Sequence, residues 1–309
     1  MRTVIEPGKA RKSINFLDSI VYSTVRNLAG ETLPLEMSIM LQNGNSEMFF
    51  AAGIHDEEDK HPKPAILWIP GGGYRGCDKN LMTAEMAFLA DAGFVVASIY
   101  YRSSAEGHMP AQIVDVKTAI RFLRAHAAEY EIDPEQIGVI GRSAGGQLAA
   151  LAGMNVDRWH AGEWLSEPDT VQACIDMFGP VDIAGLLREE ERRQQADPEN
   201  YRWASVAESH GGAVLGGAYG ADMLERAREV SANTYISGRM SPIMILHGDI
   251  DSLVPASISE CFYQSIVDSG FGDRAELYIL HNAGHGTKDF FQPSVKELML
   301  RFFREKLGE

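Results

Sequence analysis

The feature that most constrains the fold is a glycine-rich turn around Ser143, between an apolar run and a helix-forming run. Residues 137–152 read IGVIGRSAGGQLAALA. The apolar residues before Gly141 predict a buried strand, and those after Gly146 predict a helix. Gly141 and Gly145 flank the serine, where side chains would collide with the neighbouring strand and helix. The pattern predicts a strand, a tight turn and a helix, with Ser143 at the apex of the turn.

The rest of the chain alternates strands and helices from residue 65 onward. The apolar runs predict strands at 65–69, 94–100, 137–140, 173–178, 243–247 and 275–280. Helices are expected at 80–92, 110–130, 144–152, 221–232, 256–269 and 290–306. Such alternation is typical of an α/β fold whose mostly parallel central sheet has helices on both faces.

Two further segments complete the expected organisation. Residues 19–42 alternate apolar and polar residues around a turn at 29–31, which predicts two antiparallel edge strands, and a further short strand is expected near 48–52. Residues 181–220 are longer than a connection within an α/β unit needs, and we interpret them as a small helical cap over the strand ends. The expectation is a single domain over residues 1–309 with this cap inserted.

Composition excludes several classes of partner. With 28 basic against 43 acidic residues, the net charge of −15 argues against binding to nucleic acid or to an anionic membrane surface. The cysteines form no Cys-x-x-Cys pair, so a disulfide framework or a zinc site is not expected; they are Cys77, Cys174 and Cys261. No run has the length of a membrane span or the pattern of a signal peptide, and the expected location is cytoplasmic.

Acidic and histidine side chains follow the last two predicted strands. Asp249 and Asp251 come directly after the strand at 243–247, where carboxylates point into the ligand crevice of a parallel sheet, and their spacing does not separate them. His285, with a glycine on each side, follows the strand at 275–280, and His281 is its local competitor. The other histidines considered are interpreted as structural or exposed: His55, His61, His108, His126, His160 and His210.

A glycine run follows the strand at 65–69, where the chain reads Pro70-Gly71-Gly72-Gly73-Tyr74. Glycines leave backbone N–H groups unshielded, as the stabilisation of an oxyanion requires. No Gly-Lys-Ser/Thr follows, which argues against a phosphate-binding P-loop. A serine needs a base, an acid that orients the base and oxyanion donors to act as a nucleophile, and the chain order Ser, Asp, His is that of α/β-hydrolases.

On these motifs, the chain resembles the hormone-sensitive-lipase-like and feruloyl- and acetyl-esterase-like carboxylesterases of the α/β-hydrolase superfamily. The resemblance extends from Lys63 onward, and its motifs lie at 70–74, 97–102, 110–123, 132–146, 178–182, 247–255 and 284–286. It implies that Ser143 is the nucleophile, His285 the base and Asp251, rather than Asp249, the acid. It also implies that the backbone N–H groups of Gly72, Gly73 and Ala144 are the oxyanion donors.

One departure bears on the substrate. The family's usual His-Gly-Gly-Gly is here Pro70-Gly71-Gly72-Gly73, and the form with Pro70 and Tyr74 is similar to acetyl-xylan-esterase-like members. The implied function is a serine carboxylesterase that needs no metal or organic cofactor. Its substrate partners would be small molecules that carry short acyl esters, acetyl to butyryl. These would be esters of sugars, or hydroxycinnamoyl esters. Tyr74 and Trp203 are expected to narrow the acyl pocket.

Two other functions share these motifs. A prolyl-oligopeptidase-like serine peptidase is one alternative, although the roughly 60 residues before the resemblance begins are too few for the propeller of such enzymes. A non-catalytic α/β-hydrolase that acts as a ligand receptor is the other, although such proteins typically lose the serine or the histidine that stand here at 143 and 285. The oligomeric state is left open, with a homo-oligomer as one alternative.

Overall fold

The central sheet organises the fold. The computed structural model describes residues 2–5, 13–42, 61–76 and 78–308. The strand predicted near 48–52 and Cys77 therefore lie outside the described residues. The strands are β1 (Ile14–Arg26), β2 (Thr32–Gln42), β3 (Lys63–Ile69), β4 (Val95–Ile99), β5 (Ile132–Arg142), β6 (Ala173–Met177), β7 (Ile243–Gly248) and β8 (Ala275–Leu280).

Within the described ranges these strands form one eight-stranded sheet in the order β1-β2-β4-β3-β5-β6-β7-β8. The pairs β1–β2 and β2–β4 are antiparallel, and every other neighbouring pair is parallel. The two antiparallel strands predicted at 19–42 are therefore present, as β1 and β2, although only β1 lies at the edge and β2 lies between β1 and β4. The predicted α/β-hydrolase fold class, with its mostly parallel sheet, is confirmed.

Helices connect the strands and cover the sheet. They are α1 (Ala87–Asp91), α2 (Ala111–Ala125), α3 (Ala144–Gly153), α4 (Ile183–Ala196), α5 (His210–Leu215), α6 (Ala221–Glu229), α7 (Ala256–Asp268) and α8 (Pro293–Leu307). Short 3-10 helices lie at Thr83–Met86, Val206–Glu208, Ala232–Tyr235, Gly272–Arg274 and Lys288–Phe291.

The side chains of β3 alternate between the two faces of the sheet and so show how the hydrophobic core is divided. Ile66 and Trp68 belong to the hydrophobic cluster on one face, and Leu67 and Ile69 belong to the cluster on the other, all fully buried. Successive side chains of a strand point to opposite faces, so a central strand with helices on both sides must be apolar at every position. This explains why β3 is a continuous apolar run.

The helix predicted at 80–92 is interrupted. The chain there forms the 3-10 helix at Thr83–Met86 followed by the short α1. Met82, directly before the 3-10 helix, has a φ of 59°, which an α-helix does not tolerate. The indole N–H of Trp68 donates to the carbonyl oxygen of Leu81 at 3.1 Å and so holds this turn against the sheet. The hydrophobic pattern of 80–92 does not reveal that tertiary contact.

The segment 181–220 contains α4, a 3-10 helix and α5. Asp182 caps α4, because its Oδ1 accepts a hydrogen bond from the backbone N–H of Gly185 at 2.9 Å. Leu186 and Leu187 on one side of α4 are buried, whereas Arg188 and Arg192 are not. The apolar side of α4 therefore faces the protein.

In the described residues no helix is both long and apolar enough to cross a membrane.

Candidate active site

The turn at Ser143 joins β5 to α3 and holds the serine in a strained conformation. Its φ is 53°, in the region that residues with side chains rarely adopt. A Cβ at Gly141 would lie 2.1 Å from the carbonyl oxygen of Gly145, and a Cβ at Gly145 would lie 2.0 Å from that of Ile69. Both contacts are far shorter than atoms allow, so the turn can be this tight only with glycine at both positions.

The serine lies at one end of a chain of hydrogen bonds. Ser143 Oγ is 2.8 Å from Nε2 of His285, and Nδ1 of His285 is 2.7 Å from Oδ2 of Asp251. The three side chains come from the turn after β5, the loop after β8 and the loop after β7. An imidazole in this position can accept the serine proton through Nε2 while the carboxylate holds the proton on Nδ1.

Asp251 is held as an anion by its surroundings. Its Oδ1 accepts hydrogen bonds from the backbone N–H groups of Leu253 and Val254, each at 2.9 Å. Nε2 of the buried His247 lies 3.4 Å from Oδ2. Burial raises the pKa of this carboxyl, but hydrogen bonds to His247, His285 and Val254 outweigh it and bring the pKa well below its usual range.

The neighbouring aspartate points elsewhere. Oδ2 of Asp249 is 2.7 Å from Nδ1 of His281, and its Oδ1 accepts from the backbone N–H of Asn282 at 2.7 Å. His281 is 84% exposed, so this pair lies at the surface and not at the serine. The structure thus separates two aspartate–histidine pairs that the sequence spacing could not.

In the described part of the chain, no group of three or more His, Cys, Asp or Glu side chains could hold a metal ion.

The predicted oxyanion donors border the same cavity as the serine. Gly72 and Gly73 lie in the loop after β3, and neither N–H donates to an acceptor among the described residues. Ala144 is the first residue of α3, so its N–H is not used within the helix, and the partial positive charge of the helix N-terminus adds to it. All three residues border the cavity that contains Ser143. Their N–H groups are not used by acceptors of the described residues, as an oxyanion site requires.

The loop that carries these glycines is held by two tyrosines, where the family's usual histidine is replaced by Pro70. The hydroxyl of Tyr101 donates to the carbonyl oxygen of Pro70 at 2.8 Å. The hydroxyl of Tyr74 donates to Oε1 of Gln147 on α3 at 3.1 Å, and both tyrosines are buried. These contacts connect both ends of the glycine run to the core of the protein.

A cavity of about 300 Å³ opens above the serine. Its floor includes Ser143 and His285, and the glycine run forms one wall. The segment 181–220 forms another part of the wall and contributes Leu186 and Glu190 from α4 and His210 from α5. The volume is at the small end of the range usual for ligand pockets. The space can therefore accept a small group beside the serine.

The two residues expected to narrow the pocket are placed differently. Tyr74 borders the cavity, although its ring is almost completely buried. Trp203 does not border it: the indole lies behind His210, with the two ring centroids 4.7 Å apart, and lines an adjacent surface pocket. The guanidinium groups of Arg75 and Arg202 lie 5.1 and 4.9 Å from the indole ring. The cavity wall at this point is therefore His210, with Trp203 supporting it.

His210 is the residue that the sequence interpretation missed. The sequence pattern indicates a structural or exposed residue, yet the imidazole lies against the glycine run, where a Cβ on Gly73 would be 2.4 Å from the ring. Burial first, and then the positive charges of Arg75 and Arg202, lower the pKa of His210 to about 4, so the ring is neutral near neutral pH. The two glycines that follow it are a local signal like the one that singles out His285.

Comparison with known proteins agrees with this architecture. The sequence profile of the BD-FAE family matches residues 54–266, more than half of the chain. The probable carboxylic ester hydrolase LipM of Mycobacterium tuberculosis is 32% identical, over 66% of this chain and 44% of its own. Esterase LipQ of the same organism is 30% identical, over 71% of this chain and 50% of its own. The chain thus spans about half the length of these curated relatives.

A solved structure described as a truncated form of a carbohydrate esterase from gut microbiota superimposes along nearly the whole length. Its TM-score is 0.76 at 28% identity, covering 98% of this chain and 99% of the other. Together with the family profile, this similarity confirms the resemblance that the motifs indicated. The chain belongs to the BD-FAE family, within the carboxylesterase group of the α/β-hydrolase fold.

Proposed function

We propose that this chain is a serine carboxylesterase that hydrolyses short-chain acyl esters through an acyl-enzyme. The observation that carries the proposal is the continuous set of hydrogen bonds from Ser143 through His285 to Asp251 at the floor of a small cavity. The esterase names of the relatives and of the solved neighbour support the same reaction.

The proposed reaction has two steps. In the first, Nε2 of His285 takes the proton of Ser143, Oγ attacks the ester carbonyl, and the N–H groups of Gly72, Gly73 and Ala144 bind the oxyanion. The imidazolium then gives its proton to the leaving alcohol. In the second step His285 activates a water that hydrolyses the acyl-enzyme. Asp251 keeps the imidazole oriented and stabilises its charged form throughout.

The proposed acyl group is acetyl to butyryl. We treat residues 181–220 as a lid whose helices limit the depth of the cavity, because Leu186 from α4 and His210 from α5 form its wall. Each methylene that fits into an apolar site contributes about 0.8 kcal/mol, and a chain that reaches the wall gains nothing more. Rates should therefore rise from acetyl to butyryl and fall for octanoyl esters.

The proposed alcohol part is a sugar. The solved neighbour is described as a carbohydrate esterase, and the Pro-Gly-Gly-Gly-Tyr run at 70–74 is similar to that of acetyl-xylan-esterase-like proteins. Hydroxycinnamoyl esters of sugars are the second substrate class that the family resemblance suggests. Both classes keep the same reaction and differ only in the acyl group that the cavity must accept.

The test is a panel of esters assayed with the wild type and with Ser143→Ala. The panel contains 4-nitrophenyl acetate, butyrate, octanoate and decanoate, with acetylated xylose and methyl ferulate as natural-type substrates. We expect kcat/KM to be highest at acetate to butyrate and to disappear in Ser143→Ala. An optimum at decanoate would overturn the short-chain proposal, and hydrolysis that persists in Ser143→Ala would overturn the assignment of the nucleophile.

A further inference from the structure

Arg142, directly before the nucleophile, borders the cavity at the end where His285 lies. Its Nη2 lies against Gly286, where a Cβ would be only 2.3 Å away. Its Cζ is 5.6 Å from the centre of the Phe178 ring, and that ring meets the imidazole of His285 edge-on with centroids 4.9 Å apart. The half-buried guanidinium therefore lies on the side of the cavity that contains the catalytic histidine.

This cation has no counter-charge within the described ranges. Nε of Arg142 is buried without a hydrogen-bond acceptor, and no described carboxylate pairs with the side chain. Burial lowers the pKa of Arg142, and no acidic neighbour acts in the opposite direction. Other arginines with little exposure have acceptors: Arg102 pairs with Asp115 at 2.6 Å and Arg121 with Asp169 at 3.0 Å. Arg124 donates to backbone carbonyl oxygens. An unpaired charge in such a place is costly unless a ligand supplies the partner.

We propose that Arg142 is a specificity-determining residue that binds a carboxylate on the alcohol part of the ester. The inference rests on the proposed esterase function. His285 gives its proton to the leaving oxygen, so the alcohol part must lie on the histidine side of the cavity, where the guanidinium is. The planar guanidinium donates two parallel hydrogen bonds that match a carboxylate.

The lid side of the cavity has a charge pair of its own. Glu190 borders the cavity from α4; its Oε2 accepts a hydrogen bond from the hydroxyl of Tyr201 at 2.8 Å, and its Oε1 lies 3.5 Å from Nη1 of Arg193. On that side the cation is already paired with Glu190, whereas a carboxylate beside Arg142 would meet a guanidinium that is unpaired among the described residues. The cavity can thus distinguish where on the ester a negative charge lies. The favoured class is an acyl ester of a hydroxy acid, a class that includes sugars that carry a carboxylate.

The test uses two acetyl esters that differ in charge but hardly in shape, 4-acetoxybenzoate and 4-acetoxybenzamide. The measured quantity is kcat/KM for 4-acetoxybenzoate divided by kcat/KM for 4-acetoxybenzamide. A charge-assisted contact is worth about a factor of ten or more, so this ratio should fall by about tenfold in Arg142→Gln and recover in part in Arg142→Lys. A ratio that is the same in wild type and Arg142→Gln would overturn the proposal.

The matched control is Arg192→Gln. Arg192 is 73% exposed on α4 and pairs with Glu189, so the variant removes the same charge from the lid without touching the cavity. We expect its substrate ratio to equal that of the wild type. An equal fall in both variants would show a long-range charge effect and would overturn the proposal. Thermal unfolding of all three variants tests whether the fold is retained.

A binding measurement separates this inference from the proposed function. Calorimetric titration with 4-hydroxybenzoate and with 4-hydroxybenzamide needs no turnover. We expect the benzoate to bind more tightly than the amide in the wild type and to lose that advantage in Arg142→Gln. Benzoate binding that depends on Arg142, without hydrolysis of either ester, would overturn the esterase proposal and keep the carboxylate site. Hydrolysis of both esters with binding independent of Arg142 would overturn the carboxylate site alone.

Discussion

Oδ2 of Asp251 lies 2.7 Å from Nδ1 of His285, although 34 residues separate the two in the chain. Asp249, two residues before Asp251, makes an equally short contact with His281 at the surface. The loops after β7 and β8 thus hold two parallel aspartate–histidine pairs, and only one of them reaches the serine. This arrangement allows the roles of the two aspartates to be tested separately.

The first prediction concerns the nucleophile and the base. Ser143→Ala or His285→Ala should lower kcat by about 10⁴-fold or more, because either change removes the attacking group or its proton acceptor. The fold should be retained, as judged by circular dichroism and thermal unfolding. A serine-directed organophosphate should label Ser143, as peptide mass spectrometry would show. Labelling of a different serine would contradict the assignment.

The second prediction compares Asp251→Asn with Asp249→Asn. In Asp251→Asn the amide oxygen can still accept hydrogen bonds from the backbone N–H groups of Leu253 and Val254. This orientation turns the NH₂ group of the new side chain toward Nδ1 of His285. That donor favours the tautomer with its proton on Nε2, which cannot accept the serine proton, so kcat should fall by about 10³- to 10⁴-fold.

The control in this pair is Asp249→Asn. Its carboxylate contacts the exposed His281, so kcat should stay within about tenfold of the wild type, since only the loop is affected. Steady-state kinetics on 4-nitrophenyl acetate measure both variants. A larger loss in Asp249→Asn than in Asp251→Asn would show that the two pairs have been assigned the wrong way round.

The third prediction concerns the turn at Ser143. Gly145→Ala places a Cβ 2.0 Å from the carbonyl oxygen of Ile69, a backbone atom that cannot move aside. The free energy of unfolding should fall by about 2 kcal/mol or more, and activity should be lost with it. Gly76→Ala is the control, because a Cβ added there would have no atom of a described residue within 4 Å, its chain neighbours aside. Urea denaturation compares the two, and equal stabilities would contradict the steric argument.

The fourth prediction concerns the wall of the acyl cavity. Leu186→Ala should raise the ratio of octanoate to butyrate hydrolysis, by about fourfold for each methylene newly accommodated. Trp203→Ala should change this ratio less, because the indole supports His210 from behind and does not border the cavity. Initial rates on 4-nitrophenyl esters provide the comparison. A larger change in Trp203→Ala would show that the indole itself limits the acyl chain.

The fifth prediction concerns pH and Asp176. This carboxyl on β6 is fully buried; burial raises its pKa to about 7, against the opposing effects of His247 and the N–H of Gly179. The folded protein therefore holds a proton on Asp176 that the unfolded chain releases near pH 4, and stability should decrease as pH rises from about 4 to about 7. Asp176→Asn cannot lose a proton and should flatten this decrease.

Urea unfolding at pH 5 and pH 8 checks this. We expect the free energy of unfolding of Asp176→Asn, relative to the wild type, to be higher at pH 8 than at pH 5. The other titrating groups are shared by the two proteins, so their contribution cancels in this difference. A difference between variant and wild type that is the same at both pH values would show that Asp176 does not titrate in this range.

Much of the architecture is readable from local pattern. The apolar runs predict every strand from β3 onward, and the glycines around Ser143 predict the turn between β5 and α3. Both signals are local because a buried strand needs apolar residues along a few consecutive positions, and a tight turn needs small residues next to its apex. The family resemblance of these motifs is confirmed by the profile over residues 54–266.

Local sequence does not decide which of several nearby residues belongs to the site. Spacing leaves Asp249 and Asp251 equivalent, and it does not reveal that His210 and Arg142 border the same cavity whereas Trp203 does not. Those outcomes depend on how β7 and β8 align in the sheet and on the path of residues 181–220 over it. Contacts between residues far apart in the chain are set by that register and by packing, and no pattern within a few residues encodes them.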